Sequence, residues 1–252
     1  MLIFRYDNTF EGFLSAVFDA YDRKTFPERL IGENEPEPLF TESIHTVITD
    51  KKKADRVWKG LQKKLSHIVC NMLMCTWLSE IPETEDLLLR YVRKVFDTPY
   101  SIAMNFTDND VLEIKKIAQK VSKESHYINQ FLRFQKTADG MFFGPVAPLY
   151  NALPLSIGHL KNRFADQQWL IYDLKRQYGY YYDLITVTEI TFKEGNKIID
   201  AKLNQNLLDE NELFFQDLWK GYFKAVTIKE RINPKLHRQN MPRRFWKYLT
   251  EK

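Results

Sequence analysis

Apolar and polar positions in the first half of the chain repeat mainly at the 3.6-residue period of a helix. Phe10, Phe13, Leu14, Val17, Phe18 and Tyr21 recur at that spacing behind Thr9, whose hydroxyl suits an N-cap, and Leu2–Tyr6 ahead of them reads as a short strand. Pro27, Gly32, Pro36 and Pro38 predict an acidic loop carrying Glu33, Glu35 and Glu37. Ser43–Thr49 then predicts a strand, because Ile44, Thr46 and Ile48 alternate with His45 and Val47. Thr49 and Asp50 offer caps for a helix over Lys51–Leu65 with Ala54, Val57, Trp58, Leu61 and Leu65 inward. Ile68–Leu78 is apolar on most sides and reads as a central buried helix, and further helices are expected over Glu83–Phe96 and from Asp108 to about Lys123.

The pattern changes after His126. Phe131–Gln135 and Met141–Phe143 around Thr137–Gly140 predict a hairpin, and Tyr150–Phe164 predicts a helix whose start is constrained by Pro154. Trp169–Leu174 and Tyr180–Phe192 predict two strands around Lys175–Gly179, the second closed by Glu194, Gly195 and Asn196. A helix from Asp209 to about Val226 precedes the C-terminal stretch. Sequential hairpins in one half and clustered helices in the other define an α+β fold, a helical core packed on an antiparallel sheet with hairpins in the C-terminal half. The expected organisation is one domain over residues 1–252. Its variant is two packed lobes, 1–126 mainly helical and 127–252 sheet, helices and a basic tail.

With 252 residues, 44% hydrophobic and 14% aromatic, the chain can bury a large core. Its two cysteines, Cys70 and Cys75, lie in an apolar helical run; they are not expected to build a disulfide framework or a four-ligand zinc site and suit a reducing cytoplasm. Met1–Phe4 is followed at once by Arg5 and Asp7, which does not read as a secretory signal, and no apolar run approaches the ~20 residues that span a bilayer. A cytoplasmic location and no membrane partner are expected.

Charge alters the picture through its distribution. The chain carries a net +4 with a pI of 8.8. Residues 1–50 hold ten acids against four bases, whereas 51–64 hold seven bases against Asp55 alone. From Lys229 to Lys252 eight Lys/Arg face two Glu.

Within the first basic block Lys52, Arg56, Lys59 and Lys63 fall at i, i+4, i+7 and i+11, one stripe of a helix, fit for contact with a polyanion or for solvation. Lys115, Lys116, Lys120 and Lys123 form a weaker second face. In the tail, Lys235, Arg238, Arg243, Arg244 and Lys247 are interleaved with Phe245, Trp246 and Tyr248, the parts for phosphate contact and base stacking. Pro234 and Pro242 equally suit a strap over a core. Phe245 and Trp246 are therefore expected to pack, with at least one of Arg243 and Arg244 left at the surface. Arg133 and Arg163 adjoin aromatic positions, and Arg176 lies between Asp173 and Asp183; in each a guanidinium can fork onto phosphate or carboxylate or close an internal salt bridge. Asp173 and Asp183 are the weak candidates for a catalytic carboxylate pair, with solvated Asp as the plainer explanation. The chain carries no P-loop, dinucleotide fingerprint, His-Glu-x-x-His, nucleophile elbow or zinc spacing, so no cofactor and no metal are expected.

Several of these segments together carry a resemblance. Tyr6–Leu14 (YDNTFEGFL), Thr49–Val57 (TDKKKADRV), Phe131–Phe134, Arg163-Phe164, Tyr182-Asp183, Asn233-Pro234 and Met241–Trp246 (MPRRFW) resemble a bacterial family described as probable DNA metabolism or repair proteins, over nearly the full length. That family is found beside a radical-SAM protein and, elsewhere, fused to a uracil-DNA glycosylase-like domain. The resemblance implies a DNA-repair context and a partner of one of those kinds, and supplies no catalytic residue. The sequence therefore reads as an accessory module that binds DNA or another nucleic acid and assists a partner enzyme. The alternatives are an enzyme acting on a flipped base through Asp173 or Asp183, and a protein–protein adaptor whose basic surface meets an acidic partner.

Overall fold

A parallel sheet lies at the start of the chain. The computed structural model describes residues 1–192, 203 and 205–251. It divides into two compact units, Met1–Val121 and Ser122–Lys252. In the first, β1 (Leu2–Tyr6), β2 (Arg29–Gly32) and β3 (Ser43–Thr46) form a sheet of order β2-β1-β3 in which both pairings are parallel, Ile3 standing opposite Arg29 and Ile44. Between β1 and β2 runs α1 (Phe10–Asp22), capped by Thr9, whose hydroxyl accepts from the Gly12 amide at 2.9 Å. The segment expected as an acidic loop thus contains β2. Leu30 and Ile31 are buried, and a four-residue strand between Pro27 and Gly32 is too short to show an alternation.

Three helices complete this unit before α5: α2 (Lys51–Lys64), α3 (His67–Trp77) and α4 (Thr84–Asp97). β3 ends at Thr46, three residues short of expectation, because the chain turns to cap α2. Thr49 Oγ1 donates to Asp7 Oδ2 at 2.8 Å, and Asp50 accepts from the Lys52 amide at 2.7 Å. α3 is not buried on most sides: Val69, Cys70, Leu73 and Thr76 are inside, while Ile68 is 68% exposed. Phe13, Leu14 and Val17 of α1 join Val57 and Leu61 of α2 and Leu88, Tyr91 and Val92 of α4 in one core. One buried charge group ties the layers together: Asp19 accepts from Lys53 Nζ at 2.7 Å and lies 2.8 Å from His45 Nε2.

The long α5 (Asn109–Phe131) contains the division between the units. It extends well past Lys123, which corrects the strand expected over Phe131–Gln135. Phe131 is its last residue and stacks on Tyr127, one helical turn back, at 5.7 Å. The hairpin strand is reduced to β4 (Gln135–Lys136), paired antiparallel with β5 (Phe142–Val146) across a turn in which Gly140 has φ +88°. α6 (Leu153–Arg163) carries the chain to β6 (Trp169–Asp173), parallel to β5, and β7 (Tyr178–Tyr182) and β8 (Val187–Ile190) follow antiparallel. The sheet order is β4-β5-β6-β7-β8. The protein is α+β, with an antiparallel-rich sheet built from hairpins in the C-terminal half.

The single strand expected over Tyr180–Phe192 is broken between β7 and β8 by a turn in which Leu184 takes φ +82°. The closure expected at Glu194, Gly195 and Asn196 lies outside the described residues. α7 (Glu212–Val226), α8 (Pro234–Asn240) and a 3₁₀ helix over Arg243–Tyr248 end the chain. Among the described residues no helix is long and apolar enough to cross a membrane.

Candidate nucleic-acid interface

The helical period that buries Ala54, Val57 and Leu61 of α2 turns Lys52, Arg56, Lys59 and Lys63 outward, and all four are exposed. At 1.5 Å per residue they extend along about 16 Å of helix. With Asp55 and Gly60 they line a hollow of about 470 Å³. None of the four forms an ion pair with a described residue. Their neighbours are committed elsewhere: Lys53 to Asp19, and Lys64 to the Val95 and Phe96 carbonyls at 2.9 Å, closing the C-terminal end of α4. The lysine face of α5 is less open, since Lys115 lies 3.9 Å from the Phe106 ring centre, Lys123 5.6 Å from that of Tyr127, and Lys116 approaches Glu113 at 3.8 Å.

The tail divides its residues as expected of a strap. Phe245 and Leu249 pack with Phe131, and Trp246 covers them, its indole N–H donating to the Met241 carbonyl at 3.1 Å. Arg244 follows them inward, pairs with buried Glu124 and lies 4.6 Å from the Phe245 ring centre. Arg243 and Lys247 remain exposed beside Trp246 and Tyr248, and Lys235 and Arg238 are exposed on α8.

The isolated arginines differ among themselves. Arg133, which lies just beyond α5 and not in a strand, donates to Glu251 Oε1 at 2.8 Å and to the Gln130 and Leu132 carbonyls. Arg176 donates to Asp173 Oδ2 at 2.9 Å and to the Pro148 and Leu149 carbonyls. Arg163 is exposed at the end of α6, 5.5 Å from the Phe164 ring centre. Of these three, Arg163 is the one whose fork faces solvent.

The two carboxylates are not a pair. Asp173 stands opposite Tyr178 at one end of the β6–β7 hairpin, and Asp183 follows Tyr182 at the other end, opposite Trp169. Four strand residues, about 13 Å, separate those ends. Asp173 is fully buried and closes its turn by accepting from the Lys175 and Arg176 amides. Asp183 accepts from the Thr186 and Ile185 amides, which hold its carboxyl below the usual range. Burial pushes the Tyr178 and Tyr180 hydroxyls up, so they stay protonated near neutral pH. Among the described residues no group of three or more His, Cys, Asp and Glu side chains is arranged to hold a metal ion.

The apolar positions of the helix expected from Asp209 to about Val226, among them Leu213, Phe214, Leu218, Trp219 and Tyr222, are left on the surface of α7. Phe214, Phe215, Trp219 and Tyr222 are all exposed. A signal was present: three successive apolar residues, Leu213–Phe215, sweep about 200° of a helix, more than one buried stripe accommodates.

Residues 82–251, more than half of the chain, match the model of the family described as a domain of unknown function, DUF4130, and the chain belongs to that family. No curated protein matches it. Among solved structures, the pGpG-specific phosphodiesterase PggH from Vibrio cholerae is similar at 14% identity over 71% of this chain and 80% of that one, with a TM-score of 0.34. A likeness that low bears on neither fold nor function.

Proposed function

We propose that this protein binds nucleic acid, through the α2 stripe and the exposed cations of the C-terminal segment, as an accessory to a partner enzyme of DNA repair or metabolism. The observation that carries the reading is the state of Lys52, Arg56, Lys59 and Lys63: exposed, side by side on a rigid helix, and without a carboxylate partner among the described residues. A face meant only for solvation is normally interspersed with acids, since like charges at i, i+4 repel. Lys51 and Lys52 also stand at the helix end where the macrodipole disfavours cations, a cost that phosphate would offset.

An accessory role is supported by the state of Asp173 and Asp183, the candidates of the flipped-base enzyme: the first is fully buried and closes its own turn, and the second is taken up by the Ile185 and Thr186 amides of another. A radical-SAM or uracil-DNA glycosylase-like partner in the cytoplasm is the pairing the sequence resemblance suggests. The test is titration of DNA and RNA with the Lys52→Ala/Arg56→Ala/Lys59→Ala/Lys63→Ala variant across a salt series. Loss of salt-dependent affinity supports the reading, and unchanged binding leaves the stripe a solvated face.

A further inference from the structure

The segment that follows Glu212 leaves aromatic surface open. On α7 only Glu212 is buried, while Phe214 is 61%, Tyr222 59% and Trp219 40% exposed. The Trp219 indole is nonetheless fixed. Its N–H donates to Glu251 Oε2 at 3.0 Å, and Glu251 is held in turn by Arg133 at 2.8 Å, so the ring is anchored by one edge while the residue remains 40% exposed. Tyr222 lies beside it, ring centres 5.7 Å apart and tilted by 32°.

Charge of one sign surrounds these rings. Between Lys220 and Lys247 nine Lys/Arg face a single acid, Glu230. Lys220 is engaged by Asp217 and Arg244 by Glu124, and the other seven have no carboxylate partner among the described residues. The end of α7, α8 and the last turn of α5 also bound a cavity of about 820 Å³. Its walls are apolar (Phe131, Phe223, Val226, Ile232), Arg231 and Arg238 stand with the amides of Asn233 and Asn240, and among the described residues no carboxylate lines it.

We infer that this face takes a single strand of nucleic acid: unstacked bases lie on Trp219 and Tyr222, one base enters the cavity against its amides, and the surrounding cations hold the phosphates. The inference rests on the nucleic-acid reading above and adds the strand class. A duplex offers phosphates but hides the faces of its bases, so exposed aromatic rings favour only bases already out of the stack. An apolar protein partner would leave seven cations uncompensated. A membrane surface would require the apolar residues on one face, whereas Leu213–Phe215 wrap around the helix. A polynucleotide supplies flat rings and negative charge together.

The test is fluorescence anisotropy of the full chain with a labelled mixed-sequence oligonucleotide, single-stranded or annealed to its complement, at one salt concentration. Phosphatidylserine vesicles serve as a second polyanion. The single strand is expected to bind at least about tenfold tighter than the duplex, and Trp219→Ala/Tyr222→Ala to weaken the single strand by about tenfold while changing the duplex less than about twofold. Tyr222→Ala alone, whose hydroxyl has no hydrogen-bond partner among the described residues, keeps the test valid should the double variant melt low; it is expected to lose about threefold or more. Equal affinity for both strand forms, indifference to the aromatic substitutions, or tighter binding to vesicles overturns the inference and leaves the α2 reading standing. Absence of salt-dependent binding to every nucleic acid overturns both.

Discussion

Arg243 and Arg244 are adjacent in sequence and opposite in circumstance, and their alanine variants separate strap from contact. Arg244 pairs with Glu124, whose side chain is 3% exposed and which also accepts the Leu149 amide at 2.8 Å. Arg244→Ala leaves that carboxylate buried with one backbone donor. Orphaning a buried charge costs about 3–5 kcal/mol. Arg244 is itself 32% exposed, so solvent screening lowers the expected loss to about 2–3 kcal/mol. At about 2–4 °C per kcal/mol for a chain of this size, melting should fall by about 5–10 °C. Arg243 touches the Trp246 ring from outside, and Arg243→Ala should shift melting by less than about 2 °C while lowering the salt slope of nucleic-acid binding by nearly one unit. Scanning fluorimetry, with near-ultraviolet circular dichroism to follow tertiary packing, reads the first effect, and anisotropy at several salt concentrations reads the second. Equal melting losses, or a larger one for Arg243→Ala, would refute this division of roles.

Asp173→Ala should destabilise the C-terminal unit by about 3 kcal/mol in urea melts, because it removes the carboxylate partner of Arg176 and the acceptor for the Lys175 and Arg176 amides, whereas Asp183→Asn should leave nucleic-acid affinity within about twofold. Loss of partner-dependent repair in an Asp183→Asn variant that folds and binds would restore a catalytic role. Asp19 gives a pH dependence: burial opposes its ionisation, but the bonds from Lys53 and His45 outweigh burial and lower its carboxyl below 3.8. A depressed carboxyl stabilises the fold above its unfolded value and loses that contribution as pH falls through its folded one. The free energy of urea unfolding should therefore fall more steeply for the natural chain than for Asp19→Asn as pH drops from about 6 to 3.

Elements that stand on their own periodicity were legible in the sequence. α1 and α2 bury most of the residues their spacing selects, and the Thr9 cap follows from one hydroxyl. What escaped depends on partners distant in the chain. β2 is defined by parallel pairing with β1, and its four residues show no period of their own. Phe131 was ambiguous because Phe-Leu-Arg-Phe alternates like a strand, while its contact with Tyr127 one turn back and with Phe245 far along the chain settles it as helix. The α2 stripe was readable because a helix fixes which side chains share a face. Whether a cation on such a face is already paired is a tertiary fact, and it separates Lys53 and Lys64 from Lys52, Arg56, Lys59 and Lys63. The same distinction separates Arg163 from Arg133 and Arg176, which no local pattern could have done.

The most direct measurement is the slope of log affinity against log salt for one oligonucleotide, taken with the natural chain and with the quadruple alanine variant of Lys52, Arg56, Lys59 and Lys63. Four phosphate contacts correspond to a slope difference of about 3 and, between about 50 and 200 mM salt, to a difference of roughly a hundredfold in how much affinity is lost. The variant should show that smaller slope on every sequence tried, with melting unchanged because all four side chains are exposed. Superimposable slopes would contradict the role of the α2 stripe, and no binding by the natural chain at the lowest salt would contradict the nucleic-acid reading itself.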